Sequence, residues 1–276
     1  KPFEPPPVQW APCDDARLAY GHAGETGPPV LLIMGFTMPG AAWRFQIESL
    51  SRDHQVVWFD NRGSGQTQAP VRPWTMRRFA ADAGLLMDHL GWATAHVVGV
   101  SMGGMIAQEF AVENLHRLRS LSLMATHPGG RTLKLPPRRG LRHFLTTQLA
   151  PDRRRRGRAL ARLLFPQEWL ESVDREWLRS ILVADFGAPP PLRHRLAQLA
   201  AVSRHDTRRR LPRLADIRTL ILKPGRDLLV NPKHNDTIHR LVPNSRLVEL
   251  PNAGHGLIRQ AVDEVNTLLR EHFAGD

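Results

Sequence analysis

The stretch Gly99-Val100-Ser101-Met102-Gly103-Gly104 decides how this chain is read. It continues His96-Val97-Val98, a short apolar run of the kind a buried parallel strand uses, and it precedes an apolar stretch from Met105 to about Glu113 that reads as a helix. A serine between two glycines at a strand-to-helix junction matches G-x-S-x-G. That turn is so tight that the flanking positions must be small, and it lifts the hydroxyl out at the C-terminal edge of the sheet. An ordinary glycine-rich turn would account for the glycines alone, but not for strand, elbow and helix together. Ser101 is therefore the candidate nucleophile.

On both sides of this turn, short apolar runs alternate with helix-like stretches, the pattern of βαβ units and a mostly parallel sheet. Val30-Leu31-Leu32-Ile33-Met34, Gln55-Val56-Val57-Trp58-Phe59 and Leu121-Ser122-Leu123-Met124 read as strands, and Arg218–Leu222 and Arg246–Leu250 resume the pattern late in the chain. Val8-Gln9-Trp10 and Leu18-Ala19-Tyr20 read as an antiparallel edge pair. The expected fold class is α/β, a mostly parallel sheet of about eight strands flanked by helices. Between the two sets of strands, residues 128–212 read as amphipathic helices broken by Pro136-Pro137 and Pro189-Pro190-Pro191, an inserted helical cap on a core of residues 1–127 and 213–276.

At 276 residues, the chain suits one large core plus an insertion. Its 42% hydrophobic and 23% charged residues are ordinary globular usage, which argues against disorder or a fibrous repeat. No window approaches the roughly 18 consecutive apolar residues of a membrane span, and the start lacks an apolar signal core, so a cytoplasmic location is expected. Because the first residue is Lys1 rather than Met, removal of a targeting segment stays open. The single Cys13 supports neither a disulfide nor a zinc site, and no metal or cofactor is expected.

A serine is a poor nucleophile at neutral pH unless a positioned base takes its proton. Of the 13 histidines, His255, in Pro251-Asn252-Ala253-Gly254-His255-Gly256, follows the last strand in a loop; the others read mostly as surface residues. An acidic partner for the base is expected at the end of the preceding strand, where Gly225-Arg226-Asp227 follows Leu220-Ile221-Leu222. Asp216 and Asp236 are rivals, one before that strand and the other in the helical region after it.

These residues resemble the α/β-hydrolase superfamily over nearly the whole chain, from Val30 onward. Asp60-Asn61-Arg62-Gly63-Ser64-Gly65 looks like the family's D-x-R-G-x-G turn, and Val100–Gln108 is similar to the elbow of small capped esterases and lactonases. The resemblance implies the chain order Ser101, Asp227, His255. It also implies an oxyanion hole made by the backbone N–H groups of Met102 and Phe36, with Gly35 permitting a close approach of the backbone. Many relatives carry His-Gly where this chain has Met34-Gly35, so the bracing hydrogen bonds of that histidine are absent; Met-Gly resembles a methylesterase-like branch. Met38, Trp43, Leu229 and Leu257 lie beside these positions in sequence and are candidate walls of an apolar substrate site, although Trp43 also reads as core.

The implied activity is hydrolysis of an ester, lactone or thioester of a small to medium apolar substrate. Carbon-carbon bond hydrolases and cofactor-free perhydrolases share the triad, and a non-catalytic binding protein on the same fold is a third reading. The net charge of +12 resides in residues 128–212, which hold 19 Lys and Arg against 7 Asp and Glu. This excess admits steering of acidic substrates, an anionic surface as partner, or solvated helix faces in a chain with 34 Arg and 4 Lys. Solvated faces are favoured, and no aromatic-interleaved basic motif argues for nucleic acid.

Overall fold

A computed structural model describes residues 6–130, 135–150, 152–186 and 189–275. Residues 1–5 and 276 of the expected core, and 131–134, 151, 187 and 188 of the expected cap, lie outside the described residues. The chain opens with strands β1 (Gln9–Cys13), β2 (Ala16–Ala23) and β3 (Pro29–Ile33). There follow α1 (Arg44–Leu50), β4 (Gln55–Phe59), α2 (Met76–His89), β5 (Ala95–Val100), α3 (Met102–Glu113) and β6 (Leu118–Met124). Five helices come next: α4 (Arg138–Leu149), α5 (Arg153–Leu164), α6 (Gln167–Ser172), α7 (Arg175–Phe186) and α8 (Leu192–Ser203). The last part holds β7 (Thr219–Pro224), α9 (Lys233–Leu241), β8 (Arg246–Leu250), α10 (Leu257–Gln260) and α11 (Val262–Ala274).

The strands form one eight-stranded sheet in the order β1-β2-β4-β3-β5-β6-β7-β8. The β1–β2 and β2–β4 pairs are antiparallel and the other neighbours run parallel. Alternation along each strand divides the core in two. Leu31, Ile33, Val57 and Val97 point to the side covered by α2 and α3, where they meet Phe79, Leu86, Ile106 and Phe110. Val30, Leu32, Val56 and Val98 point to the other side and meet Ile47, Leu50, Leu268 and Leu269 of α1 and α11. Cover on both faces explains why the central strands read as unbroken apolar runs.

Helix α3 begins at Met102, directly after the serine, three residues earlier than the sequence suggests. Gly103 and Gly104 follow at once, and helical geometry leaves the first N–H groups of a helix without internal partners. The excursion between β6 and β7 closes on itself: Gly130 N–H donates to the His205 carbonyl (3.1 Å) and Thr207 N–H to the Pro128 carbonyl (3.0 Å). Helices α4 and α8 each start after a proline, Pro137 and Pro191, where a missing N–H costs nothing. No helix among the described residues is long and apolar enough to cross a membrane.

One expectation is corrected here. Besides His255, the residues His54, His96, His127, His143, His205, His234 and His272 are buried rather than exposed. An imidazole ring tolerates burial when its polar atoms or faces find partners. His96 Nδ1 lies 2.8 Å from Ser120 Oγ, with its ring stacked on Phe273, and His272 Nε2 lies 3.1 Å from the Leu121 carbonyl. Burial, reinforced by neighbouring positive groups, lowers His96 and His127 to about 3. His272 falls to about 4, again mainly by burial.

These folded values lie below the unfolded histidine value of about 6.5, so between the two the unfolded chain binds protons that the folded chain refuses. Stability should therefore fall as pH drops from about 6.5 toward 4, each of the three histidines contributing up to about 1.4 kcal/mol per pH unit. Urea unfolding at pH 7, 6 and 5 reads this slope, and His96→Asn should flatten it. Equal stability at pH 7 and 5 would contradict the burial of neutral histidines.

Candidate active site

Ser101 sits where β5 hands over to α3, with φ 57° and ψ −122°, a backbone region that a non-glycine residue enters at a cost of about 1–3 kcal/mol. Surrounding structure holds it there. Its N–H donates to the Met124 carbonyl (2.9 Å), and its own carbonyl accepts from Thr126 Oγ1 (2.8 Å), so the tail of β6 grips the turn from both ends. A Cβ at Gly103 would lie 2.0 Å from the Ile33 carbonyl oxygen, and one at Gly99 would lie 2.3 Å from the Gly103 carbonyl oxygen. The first turn of α3 thus runs against the end of β3 with no room for a side chain.

That contact brings the loop after β3 to the serine. At Gly35 a Cβ would stand 3.1 Å from Ser101 Cβ and 3.5 Å from its Oγ. The loop is braced at several points. Asn61 Nδ2 donates to the Met34 carbonyl (2.9 Å), Met38 N–H to the Gly35 carbonyl (3.3 Å), and Thr37 N–H to Gln198 Oε1 (2.8 Å). Gln198 Nε2 in turn donates to the Arg62 carbonyl (2.7 Å) and to Ser64 Oγ (3.0 Å), which ties α8 to the Asp60–Gly65 turn.

Each residue in the first half of that turn has its own task. The carboxylate of Asp60 accepts from Gly40 N–H (2.7 Å) and Gln66 N–H (2.7 Å), while burial pushes its pKa up. Asn61 holds the Met34 loop. Arg62, almost fully buried, forms ion pairs with Asp82 and Asp15. Neither Asn61 nor Gln198 was singled out from sequence. Asn61 at least lies inside a recognisable turn, whereas Gln198 is one glutamine on a helix far along the chain, and nothing local marks it.

The structure brings Asp227 and His255 together. Both are buried, and His255 Nδ1 lies 2.7 Å from Asp227 Oδ2. The other carboxylate oxygen, Oδ1, accepts from Leu229 N–H (2.7 Å) and Val230 N–H (2.9 Å), which fixes its orientation. A carboxylate oxygen accepts, so His255 Nδ1 is the donor in this contact. The rival Asp236 pairs instead with Lys223 (2.9 Å). Ser101, Asp227 and His255 follow β5, β7 and β8, so all three lie at one edge of the parallel part of the sheet.

Helices between β6 and β7 reach all parts of this edge. Gln198 of α8 holds Thr37. The Phe144 ring of α4 stands 6.2 Å from that of Phe36. Gly256 N–H, next to His255, donates to the Leu164 carbonyl at the end of α5 (2.8 Å). Of the expected wall residues, Leu229 is half-buried, whereas Met38, Trp43 and Leu257 are buried in the core cluster on the α1 and α11 side of the sheet. Met102 starts α3 with its side chain in the opposite core cluster, which leaves its backbone as the part able to face a substrate.

Gly103→Ala should cost about 3 kcal/mol or more, because a backbone carbonyl cannot move aside as a side chain can. Thermal unfolding checks this, and a Gly103→Ala protein as stable as wild type would contradict the close crossing of α3 over β3.

A family model described as alpha/beta hydrolase fold matches residues 28–259. The chain is 29% identical over 259 residues to a protein named as the carbamate hydrolase RutD of Azorhizobium caulinodans, covering 92% of this chain and 94% of the relative. It is 30% identical over 274 residues to one named as the non-heme bromoperoxidase BpoC of Mycobacterium tuberculosis, covering 94% and 98%. Among solved structures, a thermophilic esterase from Thermogutta terrifontis matches with a TM-score of 0.79 at 27% identity, covering 96% of this chain and 97% of that one.

Proposed function

The chain belongs to the alpha/beta hydrolase fold family, and we propose that within it this protein is a serine hydrolase that cleaves a carboxylic ester or lactone through an acyl-enzyme. The observation that carries this reading is the buried His255–Asp227 pair at the sheet edge that also bears the strained Ser101. Strain is retained where the surrounding structure over-determines it, and here it sets a hydroxyl at a strand-to-helix junction.

In this reading His255 Nε2 takes the Ser101 Oγ proton as Oγ attacks the substrate carbonyl carbon, while Asp227 holds the ring in the required tautomer and stabilises the imidazolium. The backbone N–H groups of Met102 and Phe36 receive the oxyanion. Collapse of the tetrahedral intermediate expels the alcohol, which leaves with the proton held by His255. Water then attacks the acyl-enzyme, His255 again taking a proton, and the carboxylic acid departs as Ser101 recovers its hydrogen. The paired Phe36 and Phe144 rings favour an apolar substrate, and residues 128–212 act as the cap that encloses it.

The name borne by the mycobacterial relative favours one second reading, in which hydrogen peroxide replaces water in the deacylation step and a peracid is released. No further cofactor is needed for either outcome.

Ser101→Ala and His255→Ala should each lower turnover of p-nitrophenyl esters by at least about a thousandfold with circular dichroism unchanged, and the double variant should fall little further, because the two act as one unit. A fluorophosphonate probe should label wild-type protein and not Ser101→Ala. Near-wild-type turnover by Ser101→Ala ends the serine mechanism, and peracid release outpacing acid release when the ester is turned over in the presence of hydrogen peroxide selects the second reading.

A further inference from the structure

The face of α4 turned away from the active site is out of keeping with a solvated helix. Leu141, Leu145 and Leu149 recur at intervals of four residues, so they line one stripe, and their exposures run from 43% to 73%. With Arg138, Arg142 and Arg155 they line an open groove of about 510 Å³ between α4 and the start of α5. A second leucine stripe, Leu192, Leu196 and Leu199, is exposed on α8. The two helices are joined where Arg195 Nη1 donates to the Gln148 carbonyl (2.9 Å).

The arginines of this face differ from many elsewhere in the chain. Arg62, Arg78, Arg117, Arg210 and Arg270 are committed to carboxylates. Among the described residues, Arg138, Arg142 and Arg155 form no ion pair. Unpaired guanidinium groups beside exposed leucines on an amphipathic helix are the composition that lies in the plane of a bilayer surface, with leucine among the acyl chains and arginine at anionic headgroups.

We propose that the outer face of α4, continued by the leucines of α8, docks this protein on an anionic lipid bilayer. A nucleic acid would satisfy the arginines but leave the leucines in water. A second copy of the chain would set one arginine-rich face against another, at a repulsive cost. The lipid surface is the partner that satisfies both residue types. Docking does not depend on the catalytic reading, since none of its residues belongs to the proposed triad or oxyanion hole.

The test is co-sedimentation with vesicles of phosphatidylcholine alone and of phosphatidylcholine mixed equally with phosphatidylglycerol. Wild-type and Ser101→Ala proteins should bind the mixed vesicles alike and the neutral ones far more weakly. Leu145→Gln with Leu149→Gln should weaken binding at least about tenfold, and each of Arg138→Gln, Arg142→Gln and Arg155→Gln about fivefold. Hydrolysis of a water-soluble ester and circular dichroism should be unchanged in all of them, as the side chains lie on the surface. The proposal is overturned by a failure of wild type to bind mixed vesicles, or by vesicle binding indifferent to the leucine substitutions. It is likewise overturned by a stable dimer in light scattering that the leucine substitutions dissolve, or by tighter binding to duplex DNA than to the vesicles.

Discussion

The crossing of α3 over the end of β3, where Gly103 leaves no space before the Ile33 carbonyl, is the contact on which the rest of the molecule depends. Because helix and strand touch backbone to backbone, the residue before the helix must turn through a left-handed conformation. Ser101 is that residue. The same closeness places the loop after β3 within contact of the serine side chain, so candidate nucleophile and candidate oxyanion donors come from one packing event. The histidine and aspartate arrive independently, on β8 and β7, and their position follows from the parallel order of the sheet. A site assembled in this way requires little of any single loop and a great deal of the sheet's register.

Such a division explains which parts were legible in the sequence. The central strands announce themselves because burial on both faces removes every polar alternation from Val30–Ile33 or Val97–Val100. The elbow is legible because its glycines are sterically compelled, and Asp227 and His255 because each follows a strand closely. Gln198 left no trace, since its partners at Thr37, Arg62 and Ser64 are more than a hundred residues away and a glutamine on a helix face is unremarkable locally. The histidines were misread for a related reason. Whether an imidazole is buried depends on what packs against it, as Phe273 does against His96, and polarity alone does not reveal this. Met38, Trp43 and Leu257 are near the site in sequence yet are packed in the core, because a side chain close in the chain to a candidate catalytic residue can point beneath the sheet edge rather than out of it.

The loop after β3 is held from outside itself. Asn61 pulls on the Met34 carbonyl and Gln198 holds the Thr37 N–H. The second of these belongs to α8. The geometry of the loop therefore depends on where that helix sits.

Helix α4 extends the same coupling to the surface. Its inward side presents Phe144 to Phe36, and its outward side presents Leu141, Leu145 and Leu149 with arginines that form no ion pair among the described residues. One rigid helix cannot shift either face without shifting the other. A surface that engages the outer leucines would bear on the Phe36–Phe144 contact, and through the link from Arg195 to Gln148 on α8 and Gln198 as well. The charge excess of the chain is concentrated in residues 128–212, the segment that carries both of these faces.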